Sequence, residues 1–316
     1  MRISNYGSPD VFEWVEIPVP KVNDHELLVR VYGSSVNPVD CALRRGELKS
    51  FIRLKLPTVL GVDVSGIVEE VGKNVTRFAV GDRVYAFLGI ERNGAYAEFT
   101  AIPESYAAAI PSNLNIVQAG VVPGVGLTAY QAFTRGATVK QGMKVLINGA
   151  GGGVGTYAIQ IARAMGAEVT AVCSETKAEL AQMLGANHVV NYQKQNILDS
   201  GSEYDVILNC VRGSKIGQWE KLLKKKGTQI VIAANPSQMP FIMLSNLFSS
   251  RKSIIFNVKA DGQTLKELSE LISAQKVKPI MSKTFALEAL AQAHQLSELE
   301  SVAGKIAITM NDNLLI

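Results

Sequence analysis

Cysteine is scarce: Cys41, Cys173 and Cys210 are the only three in 316 residues, and they stand far apart. An odd, scattered set excludes a disulfide framework and points to a reducing compartment. Histidine is equally sparse. His25, His188 and His294 are too dispersed to suggest zinc, which needs about three or four converging Cys, His or carboxylate ligands. Each is expected to be an ordinary surface or half-buried residue. No apolar run approaches membrane-spanning length, and residues 1–7 lack the apolar core of a secretory signal. Excess charge is missing as well. The net charge is +4, and the one basic run, Lys224-Lys225-Lys226, precedes Gly227 at an expected helix end, where cations suit the helix dipole. These absences point away from nucleic acid and membrane and predict a cytoplasmic protein. What remains is 47% hydrophobic and 19% charged, the composition of a globular chain with an ample core and room for two domains.

Residues 1–100 carry short alternating runs, at 26–32, 62–71, 82–87 and 95–99, punctuated by Gly72-Lys73-Asn74, Gly81-Asp82 and Asn93-Gly94. That pattern predicts a compact antiparallel barrel. From about residue 116 helix and strand alternate. A helix is expected over 126–133 and strands over 143–148, 168–172, 188–192, 204–209, 229–233 and 253–258. A helix over 177–184 is stopped by Gly185. Such alternation means a doubly wound parallel sheet. After residue 262 two helices, 265–274 and 287–296, precede a last strand at 305–309. No helix follows that strand, so it is expected to return to the first domain. The predicted division is 1–115 with 262–316, and 116–261 between them.

The chain is organised around residues 143–172. A buried strand runs into Gly149-Ala150-Gly151-Gly152-Gly153-Val154-Gly155, five glycines in seven residues, and then into a helix that ends near Gly166. This strand, glycine turn, helix and following strand make a mononucleotide-binding βαβ unit. The turn must be tight, the backbone must approach a pyrophosphate, and the helix must pack hard on the strand; a Cβ obstructs each. Free amides at the helix start then hold phosphate. Ala150, Gly152 and Gly155 occupy the three fingerprint positions. The alternative is a glycine-rich turn with no ligand.

With these residues in view, the chain resembles the zinc-free quinone oxidoreductase branch of the medium-chain dehydrogenase/reductase superfamily, over nearly its whole length. The resemblance rests on Val36-Asn37-Pro38-Val39-Asp40, Leu60-Gly61-Val62-Asp63-Val64-Ser65-Gly66, Gly81-Asp82-Arg83-Val84 and Gly94-Ala95-Tyr96-Ala97-Glu98. It rests too on Leu127-Thr128-Ala129-Tyr130, the glycine turn, Leu184-Gly185-Ala186 and Gly304-Lys305-Ile306. It implies an α/β protein: a GroES-like antiparallel β-barrel domain built from both chain ends, a Rossmann doubly wound parallel-sheet domain between, and a cleft where nicotinamide meets substrate. Where the alcohol dehydrogenase branch has a Cys and a Gly-His-Glu, this chain has Asn37 and Gly61-Val62-Asp63. Its lobe of four cysteines is missing too, so no metal is expected. Cys41 reads as a small packing residue.

NADPH is the expected cofactor. An NAD enzyme places Asp or Glu at the end of the second strand, whereas Val172 is followed here by Cys173 and Ser174, and Glu175 lies late enough to be a first-turn carboxylate. By resemblance Ser174, Lys177 and Tyr192 hold the 2′-phosphate; the plainer reading is a solvated lysine and a packing tyrosine. Some relatives have an Arg before the final Gly-Lys, where this chain has Ser301-Val302-Ala303. Gly149, Gly152, Gly153, Val154 and Gly155 belong to the phosphate turn. Thr128, Gly153, Val154, Ala233, Phe256 and Val258 match family positions at the nicotinamide, although the apolar ones suit sheet packing equally.

Without zinc there is no Lewis acid to prepare an alcohol. The implied reaction is hydride transfer to an electron-poor carbon, in a small hydrophobic quinone or an α,β-unsaturated carbonyl. Asn37 either donates its amide N–H to the developing oxyanion or serves as a turn amide ahead of Pro38. Asp40 either fixes that loop or relays a proton. The Trp-Lys that follows this Asp in many relatives is replaced by Cys41-Ala42. The apolar stretch 239–248 reads as core or dimer packing or as a substrate lining, and the strand 253–258 as an edge that pairs in a homodimer. Enoyl-thioester reduction and a non-catalytic NADPH-binding role remain the alternatives.

Overall fold

A computed structural model describes residues 1–232, 239–299 and 302–310. The chain forms two compact units, Met1–Leu127 with Lys259–Ala274 and Pro279–Ile316, and Thr128–Val258 with Gln275–Lys278.

The first unit is built on the strand Glu26–Val36, eleven residues long and buried over most of its length. It pairs antiparallel with Asp63–Val71, Phe99–Pro103 and Lys305–Thr309. Arg83–Phe87 and Ala107–Ala109 extend one side, and Met281–Ala286 adds a parallel strand to the other. Register shifts between Leu28 and Val29 and between Val31 and Gly33 let the sheet curl. Gly66 sits inside that curl, where a Cβ would stand 2.1 Å from the Arg30 carbonyl oxygen. The last strand, Lys305–Thr309, returns to the first unit as expected, with Ile306 opposite Val36. The helix Leu290–Leu299 presents Leu290, Ala293 and His294 to a core that also holds Leu43, Leu60 and Tyr96.

Six parallel strands form the second unit, in the order His188–Asn191, Glu168–Cys173, Lys144–Asn148, Tyr204–Asn209, Leu223–Val231, Lys252–Ile255. Numbered along the chain that order is 3-2-1-4-5-6, the doubly wound arrangement whose switch point lies between strands 1 and 4. Val145, Leu146 and Ile147 are fully buried, as a strand covered on both faces requires.

Three expectations need adjustment. The first unit runs on to Leu127 because the helix Ile116–Gly120 packs on its sheet: Ser65 Oγ donates to Ile116 O at 2.6 Å, and a Cβ on Gly120 would meet the Gly33 backbone at 2.7 Å. Residues 275–278 go to the second unit, where Gln160 pairs through its amide with both Lys278 N and Lys278 O, at 2.8 and 3.0 Å. Lys224-Lys225-Lys226 is no helix end. A short 3-10 turn closes at Leu222 and the lysines begin the strand Leu223–Val231, with Lys226 in the left-handed region at φ 66°. Among the described residues no helix is long and apolar enough to cross a membrane.

Candidate cofactor site and active site

In the second unit the first strand ends at Asn148, and both Gly149 N and Ala150 N donate to Val172 O of the next strand. Gly149 takes φ 81°, which a side chain would resist. Ala150 is fully buried and fits. Gly152 caps the helix Gly153–Ala164, so the first-turn amides have no acceptor within the helix and are available to an anion. Gly155 is obligatory: its Cβ would stand 2.3 Å from Gly149 O and 2.6 Å from Ala150 Cα. At Gly151 a Cβ would meet the Lys177 stem, Cδ at 2.4 Å. The lysine therefore lies across the glycine turn.

Ser174, Lys177 and Tyr192 come together beside that turn. Ser174 caps the 3-10 turn Glu175–Lys177, and Tyr192 N donates to Cys173 O at 3.2 Å. Lys177 is only 8% exposed, and burial holds its ammonium below the usual lysine range. The Tyr192 ring is exposed. Glu175 turns away, accepting from Lys194 Nζ at 2.5 Å and Asn191 Nδ2 at 3.3 Å. At the switch point Asn148 Nδ2 donates to Asn209 Oδ1 at 3.0 Å, and Asn209 Nδ2, fully buried, has no partner. An orphaned donor beside a tight glycine turn with free first-turn amides fits a bound dinucleotide phosphate group. Thr128 is buried on the helix Pro123–Gln131. Phe256 and Val258 follow the last strand, and the Phe256 ring packs against Gly136 at 3.3 Å from its Cβ position. Ala233 lies outside the described residues.

The first unit gathers a second polar group. Asn37 caps the helix Pro38–Arg45, and Asp40 Oδ2 accepts from Asn37 N at 2.8 Å, which fixes the loop. Asn37 Nδ2 reaches Asp40 Oδ2 at 3.1 Å and Asp63 Oδ2 at 2.9 Å, while its Oδ1 accepts from Lys305 Nζ at 2.6 Å. The amide expected to face a substrate is thus engaged by two carboxyls and an ammonium, and Asn37 is only 6% exposed. Asp63 also accepts from Ser35 Oγ and Gly124 N, both at 2.6 Å. Beyond Asp40, Cys41 Sγ lies 3.4 Å from His294 Nδ1, and His294 Nε2 lies 3.3 Å from the Tyr96 hydroxyl. His294 is fully buried, contrary to the expectation of a surface or half-buried residue, and burial drives its imidazole down to about 3. The local sequence carries no sign of this, because its neighbours come from the other end of the chain.

Residues 23–112 match the family described as the alcohol dehydrogenase GroES-like domain, and residues 184–308 the one described as zinc-binding dehydrogenase. Residues 127–217 match the C-terminal domain of alanine dehydrogenase/PNT. The chloroplast envelope quinone oxidoreductase homolog of Arabidopsis thaliana is 30% identical over 319 residues, covering 98% of this chain and 97% of its own. The chain belongs to the medium-chain dehydrogenase/reductase superfamily. Within that superfamily it is also similar to the chloroplastic NADPH-dependent alkenal/one oxidoreductase of A. thaliana, 32% identical over 321 residues that cover 96% of this chain and 78% of the relative. Among solved structures, the quinone oxidoreductase from Coxiella burnetii superposes with a TM-score of 0.89 at 29% identity, over 98% of each chain.

For a medium-chain reductase the first unit is notable for its donor set. Among the described residues no group of three or more His, Cys, Asp or Glu could hold a metal ion. The cluster's cation is the Lys305 ammonium, held by Val36 O and Asn37 Oδ1. Asp63 and Lys305 were visible in the sequence only as parts of family motifs, with no role attached. The signal that could have found them is their type: a charged residue set inside an otherwise apolar strand or strand entry, at each of two places, asks for a buried partner.

Proposed function

We propose that this protein is an NADPH-dependent, zinc-independent reductase of quinones or α,β-unsaturated carbonyls. The observation that carries the cofactor half is Lys177 lying buried across the glycine turn, with no acidic side chain free at the end of the second strand. Gly149, Gly152, Gly153, Val154 and Gly155 would hold the pyrophosphate, and Ser174, Lys177 and Tyr192 the 2′-phosphate. Thr128, Ala233, Phe256 and Val258 are assigned to the nicotinamide half. When bound, the cofactor supplies a hydride; the protein's part is to orient it and exclude water.

The substrate half is supported by the quinone and alkenal reductases among the relatives. An isolated ketone builds alkoxide charge that needs a strong donor, and the Asn37 amide is already engaged by Asp40 and Asp63; a quinone or enone spreads that charge over a conjugated system and asks for less. Asn37 and Asp40 shape the loop at this site. A reducing, cytoplasmic location goes with three free and separated thiols. A homodimer is supported by the edge strand Lys252–Ile255 and by Leu244 and Leu247, exposed on the helix Met239–Phe248.

The test is oxidation of NADPH by a panel: 9,10-phenanthrenequinone, a small enone, an enoyl thioester and a simple aldehyde, with a simple alcohol and NADP⁺ in reverse. Turnover with the quinone or enone and none with aldehyde or alcohol is expected. Preference for the enoyl thioester would replace the substrate half, and inertness towards all would favour a binding role.

A further inference from the structure

The polar group around Asn37 holds two carboxyls and one ammonium out of water. Asp40 and Asp63 are fully buried and Lys305 is 3% exposed. Both carboxyls converge on one nitrogen, Asn37 Nδ2, through their Oδ2 atoms at 3.1 and 2.9 Å. Lys305 Nζ is held by Val36 O at 2.8 Å and Asn37 Oδ1 at 2.6 Å, and stands 3.9 Å from Asp63 Oδ2.

The groups packed around this cluster add no balancing charge. His294, from the helix Leu290–Leu299, is neutral, its imidazole driven down to about 3. The Cys41 thiol on the same helix as Asp40 is pushed up to about 12, and the Tyr96 phenol well above its ordinary value, both by burial. Arg44 is buried and brings its own counter-charge, pairing with Glu298 at 2.5 Å. One ammonium against two carboxylates would leave a net negative charge in a site without water, and two carboxyls sharing one site do not both ionise.

The hydrogen bonds decide which carboxyl keeps its charge. Asp63 receives Gly124 N, at the start of the helix Pro123–Gln131, on one oxygen and Ser35 Oγ with Asn37 Nδ2 on the other. A carboxylate with three donors, one of them at a helix N-terminus, is stable as an anion. Asp40 receives the two N–H groups of Asn37, both on Oδ2, while its Oδ1 is buried without a hydrogen bond and the Tyr96 phenol lies near the carboxyl. We propose that Asp40 stores a proton on Oδ1, so that neutral Asp40, anionic Asp63 and cationic Lys305 form one charge-balanced cluster that fixes the Asn37 amide and its loop. Asp40 and Lys305 are positioning residues. Burial, with Asp63 beside it, pushes the Asp40 carboxyl up to about 7, in the direction the bonding requires.

Proton storage is independent of the reductase reading, and its test uses no substrate. Infrared difference spectra of the full chain near pH 6 are expected to show the carbonyl stretch of a protonated carboxylic acid that shifts in D₂O. Asp40→Asn removes that band. Asp63→Asn removes it too, because Asp40 then ionises against Lys305, whereas Glu13→Gln at the surface leaves it. Should the buried variants fail to fold, carbon-13 labelling of the aspartate carboxyls in the unmodified protein gives the same answer: one carboxyl should titrate with a midpoint near 7. All carboxyls ionising below about pH 5, as ordinary aspartates do, would overturn the proposal. So would a protonated band that persists in Asp40→Asn.

Discussion

Lys177→Ala separates the two nicotinamide cofactors. Lys177 closes the 3-10 turn Glu175–Lys177 and lays its stem on Gly151, leaving the residue 8% exposed. An ammonium there meets a phosphate with little water between, and a hydrogen bond to a charged group contributes about 1.5–3 kcal/mol. Each ~1.4 kcal/mol is tenfold in affinity. The variant should weaken NADPH by roughly ten- to a hundredfold and leave NADH nearly unchanged, since NADH has no 2′-phosphate. Fluorescence titration with NADPH, NADH and 2′,5′-ADP measures this without turnover. The pH dependence adds a check with a fixed sign. Burial lowers the Lys177 ammonium from 10.5, so the NADPH-specific part of the affinity should fade as pH rises, before the ordinary lysine range is reached. Equal losses for NADPH and NADH, or no loss at all, would show that Lys177 only packs the turn.

Further outcomes follow from the same geometry. Gly155→Ala drives a methyl into the Gly149 and Ala150 backbone and should weaken NADPH and NADH together, by about tenfold or more, as the loss of one charge-assisted contact would; an unchanged cofactor affinity would contradict the cradle. His294 has its imidazole lowered from 6.5 to about 3 by burial, so its contribution to stability is present above 6.5 and lost as pH falls towards 3, a loss of roughly 5 kcal/mol at most. Asp40, raised from 3.8 to about 7, works in the opposite direction, adding stability as pH falls through that window. Acidification from pH 7.5 to 4.5 should therefore shift the urea midpoint of His294→Gln upward relative to that of the parent, and an identical pH dependence in the two would refute the neutral buried histidine. Metal analysis of purified protein should find no stoichiometric zinc, and a chelator should leave activity intact.

The glycine turn was legible because its constraint is local: five glycines in seven residues after a strand and before a helix satisfy a steric demand that is visible atom by atom at Gly151 and Gly155. The returning strand at Lys305 was legible for a similar reason, as a β-branched run with no helix behind it. The partners of Asn37 were not. Lys305 lies 268 residues away in the chain, and only the antiparallel pairing of Lys305–Thr309 with Glu26–Val36 brings it there. The same holds for His294 between Cys41 and Tyr96. Lys224-Lys225-Lys226 was misplaced because Gly227 reads as a helix stop, whereas the 3-10 turn ends earlier and the left-handed residue is Lys226.

Where the hydride goes is the most direct test of a reductase of conjugated acceptors. NADPH carrying deuterium at C4 of the nicotinamide, incubated with the protein and a small enone, should yield a saturated ketone labelled at its β-carbon, with the α-hydrogen drawn from solvent. In the same assay an isolated ketone should remain unlabelled. A product without deuterium, or deuterium found on the carbinol carbon of a simple ketone, would contradict the reading of this site as a reductase of conjugated acceptors.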